Sequence, residues 1–441
     1  MSMIGPLDLY ASKLVAADEA VAFISSDMDV AIGMATAEPP ALLAALAQGA
    51  KRRALTDIRL WYFHSLAAAG QTVLRADMLG HIRPHCMFLS GIERDLVRHH
   101  PQQAAAAPID FVPIAFSKSP RLFADQVQLD ACVTTVSPMD AHGWFTLGTS
   151  NDYTAAAVRT AKRVVVEVNQ HMPRVFGECL LHVSEVDAIV ENHRPLPEVL
   201  VSEPTDVEMA IAATIAGMID DGACLQMGIG TLPAAVCAHL HDRRDLGIHT
   251  ELLTPALAAL VLSGAVTNRR KATYIGRTVF TFAMGDADFY AFLHDNPSLH
   301  SLPVDVVNDP RHIAKNDRVV SVNSTLQMDL SGACNSEHLL GQQYSGSGGQ
   351  LDFVRGATAS KGGKSIIACP ATARNGAVSR IVPTLDGPVT TPRTDTQIVV
   401  TEYGWADLTG KSLRQRAEAM IGLAHPAFRD QLALSLGKSH V

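Results

Sequence analysis

Cysteine pairs, aromatic residues and charge are all scarce in this 441-residue sequence. Its seven cysteines (Cys86, Cys132, Cys179, Cys224, Cys237, Cys334 and Cys369) stand singly, with no CxxC pair and an odd total. That pattern argues against a disulfide framework or a cysteine zinc site. It predicts reduced thiols filling apolar space in a cytoplasmic protein. Charged residues make up 18% against 47% hydrophobic, the balance of a globular chain with a large core. A net charge of −8 speaks against nucleic acid as a partner, because such binders carry a basic face. It leaves room for small anions held by a local Arg or Lys cluster. The start, "MSMIGPLDLY", has no basic region before an apolar run, so no leader is expected. The stretch "LLTPALAALVLSGAV" is interrupted by Thr254, Pro255, Ser263 and Gly264 and is too short to span a bilayer, so no membrane partner is expected either.

Several chemical signatures are missing too. "SKGGKS" resembles a phosphate loop, but Thr358 stands where its first glycine belongs. "GIGTLP" has Pro233 where a dinucleotide fingerprint needs its third glycine. An ATP-consuming ligase therefore has no nucleotide site to use, and no nucleotide cofactor is expected. His81 and His85 are four apart, but Pro84 between them disfavours a helix, and no HExxH or GxSxG occurs. No metal is expected.

What is present is an alternation of strand-like and helix-like runs. "VAFISSDMDVAIGM" precedes "PPALLAALAQGAKRR", and "RVVVEVNQ" follows "DYTAAAVRTAK". The alternation predicts an α/β fold built from parallel crossovers. Pro195, Pro197 and Pro204 collect in a charged connection, which divides the chain into domains 1–195 and 196–441.

The second half carries the most informative stretch, "GIHTELLTP" at 247–255. Ahead of it, Thr205 and Glu208 have capping-box spacing, and Gly222 marks a stop for the helix they start. A short strand "ACLQMG" then enters the loop "GIGTLP". The strand "LGIHTE" ends at Glu251, and Thr254 and Pro255 read as N-cap and N1 of a helix ending near Gly264. Glu251 thus lies at the carboxyl end of a strand, the edge where open α/β sheets bind ligands. Read locally, it is first a solvated carboxylate favouring a helix start. Three glycine-rich pieces share this half: "QMGIGTLP", "YSGSGGQLDFVRGA" and "SKGGKSI". Each can approach an anion closely with its backbone, and each can also be a plain turn, the last a hairpin.

Taken in order, these pieces resemble the acetyl-CoA hydrolase/transferase family, most closely its 4-hydroxybutyrate CoA-transferase branch. The second half contributes QxGIGxxP, GIHTE, "VNDPRHIAKND", SGxGGQxDFxRGA, SKGGKSI, "VVTEYGWADLTGKSLRQRAEAMI" and "AHPAFR"; the first contributes "EPPALLAAL", "VSPMDAHGWFTLGTSNDYTAAA" and "MPRVFGECLLHVSEVD". The resemblance covers nearly the whole chain. It implies two similar open α/β domains, each with a mostly parallel sheet and with the active site in the interdomain cleft, in a homodimer or homotetramer. It also implies Glu251 as the nucleophile, and coenzyme A as substrate rather than bound cofactor. Two departures stand out: Pro255-Ala256 where the family has Asp-Gly, and "LWYFHSLAAAGQ" without the commoner acidic residues.

A CoA-transferase exchanges one thioester for another, so a single carboxylate suffices and no proton need move. An ordinary glutamate, with a pKa of about 4, is already ionised for the purpose. Expected oxyanion donors are the amides of Gly228 and Gly230. For the CoA body the candidates are Gly228, Ile229, Gly230, Thr231 and Leu232, the glycines Gly346, Gly348 and Gly349, and Lys361 and Lys364; a solvated role suits either lysine as well. For the acyl pocket they are Met34, Phe63, His64 and Met87, with Arg75 or Arg83 nearby. Met34, Phe63 and Met87 also read as plain core. A His or Arg at the far end of the acid would suit a dicarboxylate such as itaconate or succinate. Without it, 4-hydroxybutyrate or butyrate is preferred; of the two, the short dicarboxylate is expected, with acetyl-CoA or succinyl-CoA as donor. Acyl-CoA hydrolysis by the same glutamate, and a non-catalytic metabolite sensor, are the alternative functions.

Overall fold

The structure, a computed structural model, describes residues 5–99, 107–200 and 202–436. The first four residues, part of the stretch read for a leader, and Val201 of the proline-rich connection lie outside them. The chain forms two compact units, 1–199 with 281–305, and 200–280 with 306–441.

The first unit is built on a seven-stranded parallel sheet. Its strands run in the order Asp110–Phe111, Ile82–Cys86, Ile58–Tyr62, Asp29–Ile32, Ala131–Val136, Arg163–Val168, Ala188–Glu191. Val133 and Val165 are buried, as in a parallel sheet covered on both faces. The helices Pro40–Arg52 and Thr154–Thr160 follow the runs that predict them. Pro39, the N-cap of the first, offers no side-chain acceptor. The buried Glu167 replaces it from strand Arg163–Val168, accepting the amides of Ala41 at 2.9 Å and Leu42 at 3.1 Å.

The first unit also takes in 281–305, which the sequence assigns to the second domain. Backbone pairing is the cause: Asn151 N–H bonds Thr281 O at 3.0 Å, Ala283 N–H bonds Thr149 O at 2.8 Å and Val199 N–H bonds Gly285 O at 2.9 Å. Such pairings satisfy backbone groups that no sequence pattern announces.

The second unit has a six-stranded sheet in the order Gly247–Ile248, Cys224–Met227, Val319–Ser324, Lys364–Ala368, Ile398–Thr401, Gly404–Asp407. Only the last pairing is antiparallel. Helix Asp206–Ala216 starts on the expected capping box, with Thr205 Oγ1 accepting the Glu208 amide at 3.2 Å and Glu208 Oε2 accepting the Thr205 amide at 2.9 Å. It ends at Gly217 rather than Gly222. Gly222 instead takes a left-handed turn at φ 78°, after "MIDD" has left the helix so that Ile219 is buried. "SKGGKSI" is no hairpin: it joins helix Gln350–Ala359 to the parallel strand Lys364–Ala368. All seven cysteines are buried and free. Among the described residues no helix is long and apolar enough to cross a membrane.

Candidate active site

The strand carrying Glu251 is short. Gly247–Ile248 pairs in register with Cys224 and Leu225, and the His249 amide extends the ladder to Leu225 O at 3.0 Å. Thr254 then caps helix Pro255–Leu262, its hydroxyl accepting the Leu257 amide at 3.5 Å. The helix stops at Ser263 and Gly264, the latter at φ 80°. Glu251 therefore sits half-buried beyond the carboxyl end of its strand, as the sequence predicts.

Two distant segments meet its carboxylate. Asn308, fully buried, donates from Nδ2 to Glu251 Oε2 at 2.5 Å, while its own Oδ1 is buried without a hydrogen-bond partner. The carboxylate settles which end of the amide faces it, because a carbonyl oxygen there would repel it. Gly349 lies on the same oxygen: a Cβ at this position would overlap Glu251 Oε2 and Asn308 Nδ2. Its backbone, at φ −101° and ψ 10°, is available to any residue. The glycine is thus required by close approach and not by conformation. Gly349 is also the N-cap of helix Gln350–Ala359 and provides no side-chain cap, and the positive end of the helix dipole lies beside the carboxylate.

His249 is sealed in nearby. Its Nε2–H donates to Val307 O at 2.7 Å, which leaves Nδ1 as a buried acceptor without a partner. Burial pushes its pKa down to about 3, helped by the Lys271 charge, so the ring is neutral. Sequence reasoning missed His249, Asn308 and Lys271. Asn308 stands in "VNDPRHIAKND", and its place in that ordered motif was the available signal.

The other expected residues divide by sheet edge. Gly346, Gly348 and Gly349 form the loop entering helix Gln350–Ala359, with Gly346 buried and Gly348 at φ 53°. Gly228, Ile229 and Gly230 follow strand Cys224–Met227 at its carboxyl end; Ile229 is half-exposed and nothing lies within 4 Å of a Cβ on Gly230. The Gly228 amide is already spent on Val322 O at 2.9 Å, so it is no free oxyanion donor. The Thr231 hydroxyl is tied to Glu208, and Leu232 is buried.

Lys361 and Lys364 are corrected more strongly. The Arg318 amide bonds Lys361 O at 2.9 Å, at the start of strand Val319–Ser324. Lys364 begins its own strand and reaches Met218 O at 2.6 Å and Asp220 Oδ2 at 3.3 Å. Both lie at the amino edge of the sheet, away from Glu251.

In the first unit, Met34, Phe63, His64 and Met87 follow the carboxyl ends of three adjacent strands, Asp29–Ile32, Ile58–Tyr62 and Ile82–Cys86. Met34, Phe63 and Met87 are buried, and the Phe63 ring packs 4.3 Å from that of Phe116. The Nδ1 of His64 is buried without a partner, and burial lowers its pKa, so the ring is neutral. Arg83 instead points out from the start of its strand into ion pairs with Asp110 at 2.7 Å and Asp57 at 3.4 Å. Arg75 pairs with Asp77 at 3.0 Å on the surface. Neither arginine belongs with the other four: both are held by acids elsewhere. His81 donates from Nδ1 to Leu55 O and His85 packs at a tilt against Trp61; among the described residues no group of His, Cys, Asp and Glu could hold a metal ion.

Comparison with known proteins places this geometry in a family. Residues 7–200 match the acetyl-CoA hydrolase/transferase N-terminal domain and 285–436 its C-terminal domain. The chain is 45% identical to the succinyl-CoA:cyclohexane-1-carboxylate CoA transferase of Geobacter metallireducens, over 96% of this chain and 94% of that one. It is 42% identical to the 4-hydroxybutyrate coenzyme A transferase of Clostridium kluyveri, over 96% and 97%. The crystal structure of RipA from Yersinia pestis superposes with a TM-score of 0.96 at 53% identity, covering 98% of this chain and 99% of that one. A strand-end glutamate met by an asparagine and a bare glycine, in a chain matched along its length by such relatives, belongs to the acetyl-CoA hydrolase/transferase family, and this enzyme is one of its CoA-transferases.

Proposed function

We propose that the enzyme moves CoA from a short acyl-CoA, acetyl-CoA or succinyl-CoA, to a short-chain carboxylate by way of Glu251. The carboxylate attacks the donor thioester carbonyl, forming an acyl-glutamyl anhydride and releasing CoA thiolate. The thiolate attacks the glutamyl carbonyl, giving a glutamyl-CoA thioester and the donor acid. The acceptor carboxylate then attacks that thioester, expelling the thiolate and forming a new anhydride. The thiolate finally attacks the acceptor's acyl carbonyl, which yields the new acyl-CoA and restores Glu251. Bonds and charge balance at each step, no proton is transferred, and the kinetics are ping-pong.

The observation that carries this reading is the Glu251 carboxylate held at 2.5 Å by the Asn308 amide against the bare α-carbon of Gly349. The start of helix Gln350–Ala359 supplies the positive end that a tetrahedral oxyanion needs, taking over from Gly228. Gly230 and the glycines 346, 348 and 349 remain the candidates for close approach of CoA.

For the acceptor we favour a monocarboxylate with an apolar or hydroxylated tail, such as butyrate or 4-hydroxybutyrate, over itaconate or succinate. The four carboxyl-edge residues Met34, Phe63, His64 and Met87 present no charge, since His64 is neutral and both arginines are paired elsewhere. The two relatives above carry a monocarboxylate in their names, cyclohexane-1-carboxylate and 4-hydroxybutyrate, the first beside succinyl-CoA.

The test is incubation with acetyl-CoA, mass spectrometry of the peptide containing Glu251, and an acceptor screen read by acyl-CoA products. The expected results are a CoA adduct on Glu251 that disappears on adding acceptor, and butyryl-CoA or 4-hydroxybutyryl-CoA forming faster than itaconyl-CoA or succinyl-CoA. Unimpaired turnover by Glu251→Ala removes the proposal.

A further inference from the structure

The strand leading to Glu251 has a regular ladder on one side only. Toward Cys224–Met227 it makes an ordinary parallel ladder, with the Gly247 amide bonding Ala223 O at 2.8 Å and the His249 amide bonding Leu225 O at 3.0 Å. On the opposite side isolated backbone bridges join Leu246 to Val266 and His249 to Val279, and between them, at Ile248, side chains take the place of backbone partners. The Ile248 amide donates to Asn268 Oδ1 at 2.8 Å, and the Ile248 carbonyl accepts from Lys271 Nζ at 2.8 Å. Lys271 also donates to Arg277 O at 2.7 Å, and Asn268 Nδ2 to Thr278 Oγ1 at 2.9 Å. The strand is thereby tied to the start of Thr278–Phe280.

Two details show that this clamp is built. Lys271 is only 4% exposed, and both hydrogen-bond partners of its ammonium are backbone carbonyls instead of a carboxylate. A buried cation without a counter-charge is costly, so the fold carries it only where its geometry is needed. Gly247 makes way for it as well: a Cβ there would meet Lys271 Cγ at 2.7 Å and Cδ at 3.0 Å. Asn268 adopts a left-handed φ of 55° to bring its amide into line.

We propose that Lys271, together with Asn268, is the positioning residue of the nucleophile's turn, completing the edge at Ile248 where the flanking backbone bridges leave it unpaired. Ile248 is held by these two side chains, His249 by Val307 O, Thr250 by its amide on Val279 O at 3.0 Å, and Glu251 by Asn308, so four anchors set where the carboxylate stands. Release of the first anchor lets residues 249–251 shift relative to Asn308 and Gly349. The inference rests on the reading of Glu251 as nucleophile.

The test uses the full-length enzyme with Lys271→Met, which keeps the apolar stem and removes the donors, Asn268→Ala, and the double variant. Steady-state transfer from acetyl-CoA to butyrate is measured beside amide hydrogen exchange of peptides covering 246–252 and 319–324. The expected result is a fall in kcat of tenfold or more with KM for acetyl-CoA within twofold, and faster exchange in 246–252 alone. The double variant is expected to lose less than the product of the single losses, because both side chains hold the same residue. The inference is overturned by folded variants with kcat within twofold of wild type, by exchange that quickens equally at 319–324, or by both single variants failing to fold. If wild-type enzyme yields no Glu251 adduct, the nucleophile reading fails by itself; the exchange pattern still decides whether the clamp exists.

Discussion

Gly349→Ala isolates the contact on which the catalytic geometry turns. The added methyl would overlap the Glu251 carboxylate oxygen and the Asn308 amide nitrogen. The glutamate side chain must retreat by roughly 1–2 Å to regain van der Waals separation. A displacement of about 1 Å in a reacting group costs on the order of 10²-fold. At ~1.36 kcal/mol per decade this is about 2.7 kcal/mol of transition-state stabilisation. The backbone of Gly349 sits at φ −101°, where alanine is unstrained, so the usual Gly→Ala gain of ~0.4–1 kcal/mol offsets part of the packing cost. The net stability change is therefore about 1 kcal/mol or less, a shift of ~2–4 °C in Tm for a unit of this size. The assay is CoA transfer from acetyl-CoA to butyrate with thermal unfolding in parallel. Gly80→Ala serves as control, since nothing lies within 4 Å of a Cβ there. A Gly349→Ala enzyme with wild-type kcat/KM, or one whose loss tracks unfolding, refutes the reasoning.

Asn308→Ala removes a hydrogen bond to a charged group, worth ~1.5–3 kcal/mol, so kcat is expected to fall about 10–150-fold, and Asn308→Asp further because two carboxylates would then face each other; equal rates for the two variants argue against this. Lys364→Met and Arg83→Met should leave KM for acetyl-CoA and for butyrate unchanged, since both cations are paired away from the carboxyl edges; a several-fold rise in either constant returns that residue to the site. Glu38 is 4% exposed, and burial pushes its pKa up to about 8 against the opposing amides of Leu66 and Ala69. The folded state thus holds this proton more tightly than the unfolded chain, giving stability that is present below about pH 4.5 and lost as pH rises through 8. Glu38→Gln should flatten the decline of Tm between pH 5 and 8.5, and a slope parallel to wild type excludes the assignment.

Much of the local structure was written in short-range signals. Thr205 with Glu208, Thr254 with Pro255, and the valine run of Arg163–Val168 act over a few residues, so each specifies its element without help from afar. Glu251 at a strand's end before a helix was legible for the same reason. Met34, Phe63, His64 and Met87 come to one edge because each closely follows a strand, and parallel strands bring their carboxyl ends together.

What the tertiary structure decided is which of these pieces meet. Gly349 and Lys361 lie close in the chain, but helix Gln350–Ala359 runs between them, and its ten residues carry the chain ~15 Å to the opposite edge of the sheet. One therefore touches Glu251 and the other cannot. Asn308, 57 residues from Glu251, reaches its carboxylate, and Lys271 reaches the carbonyl of Ile248. Such partners obey no period along the chain, because burial forces polar atoms to find whatever the fold brings near.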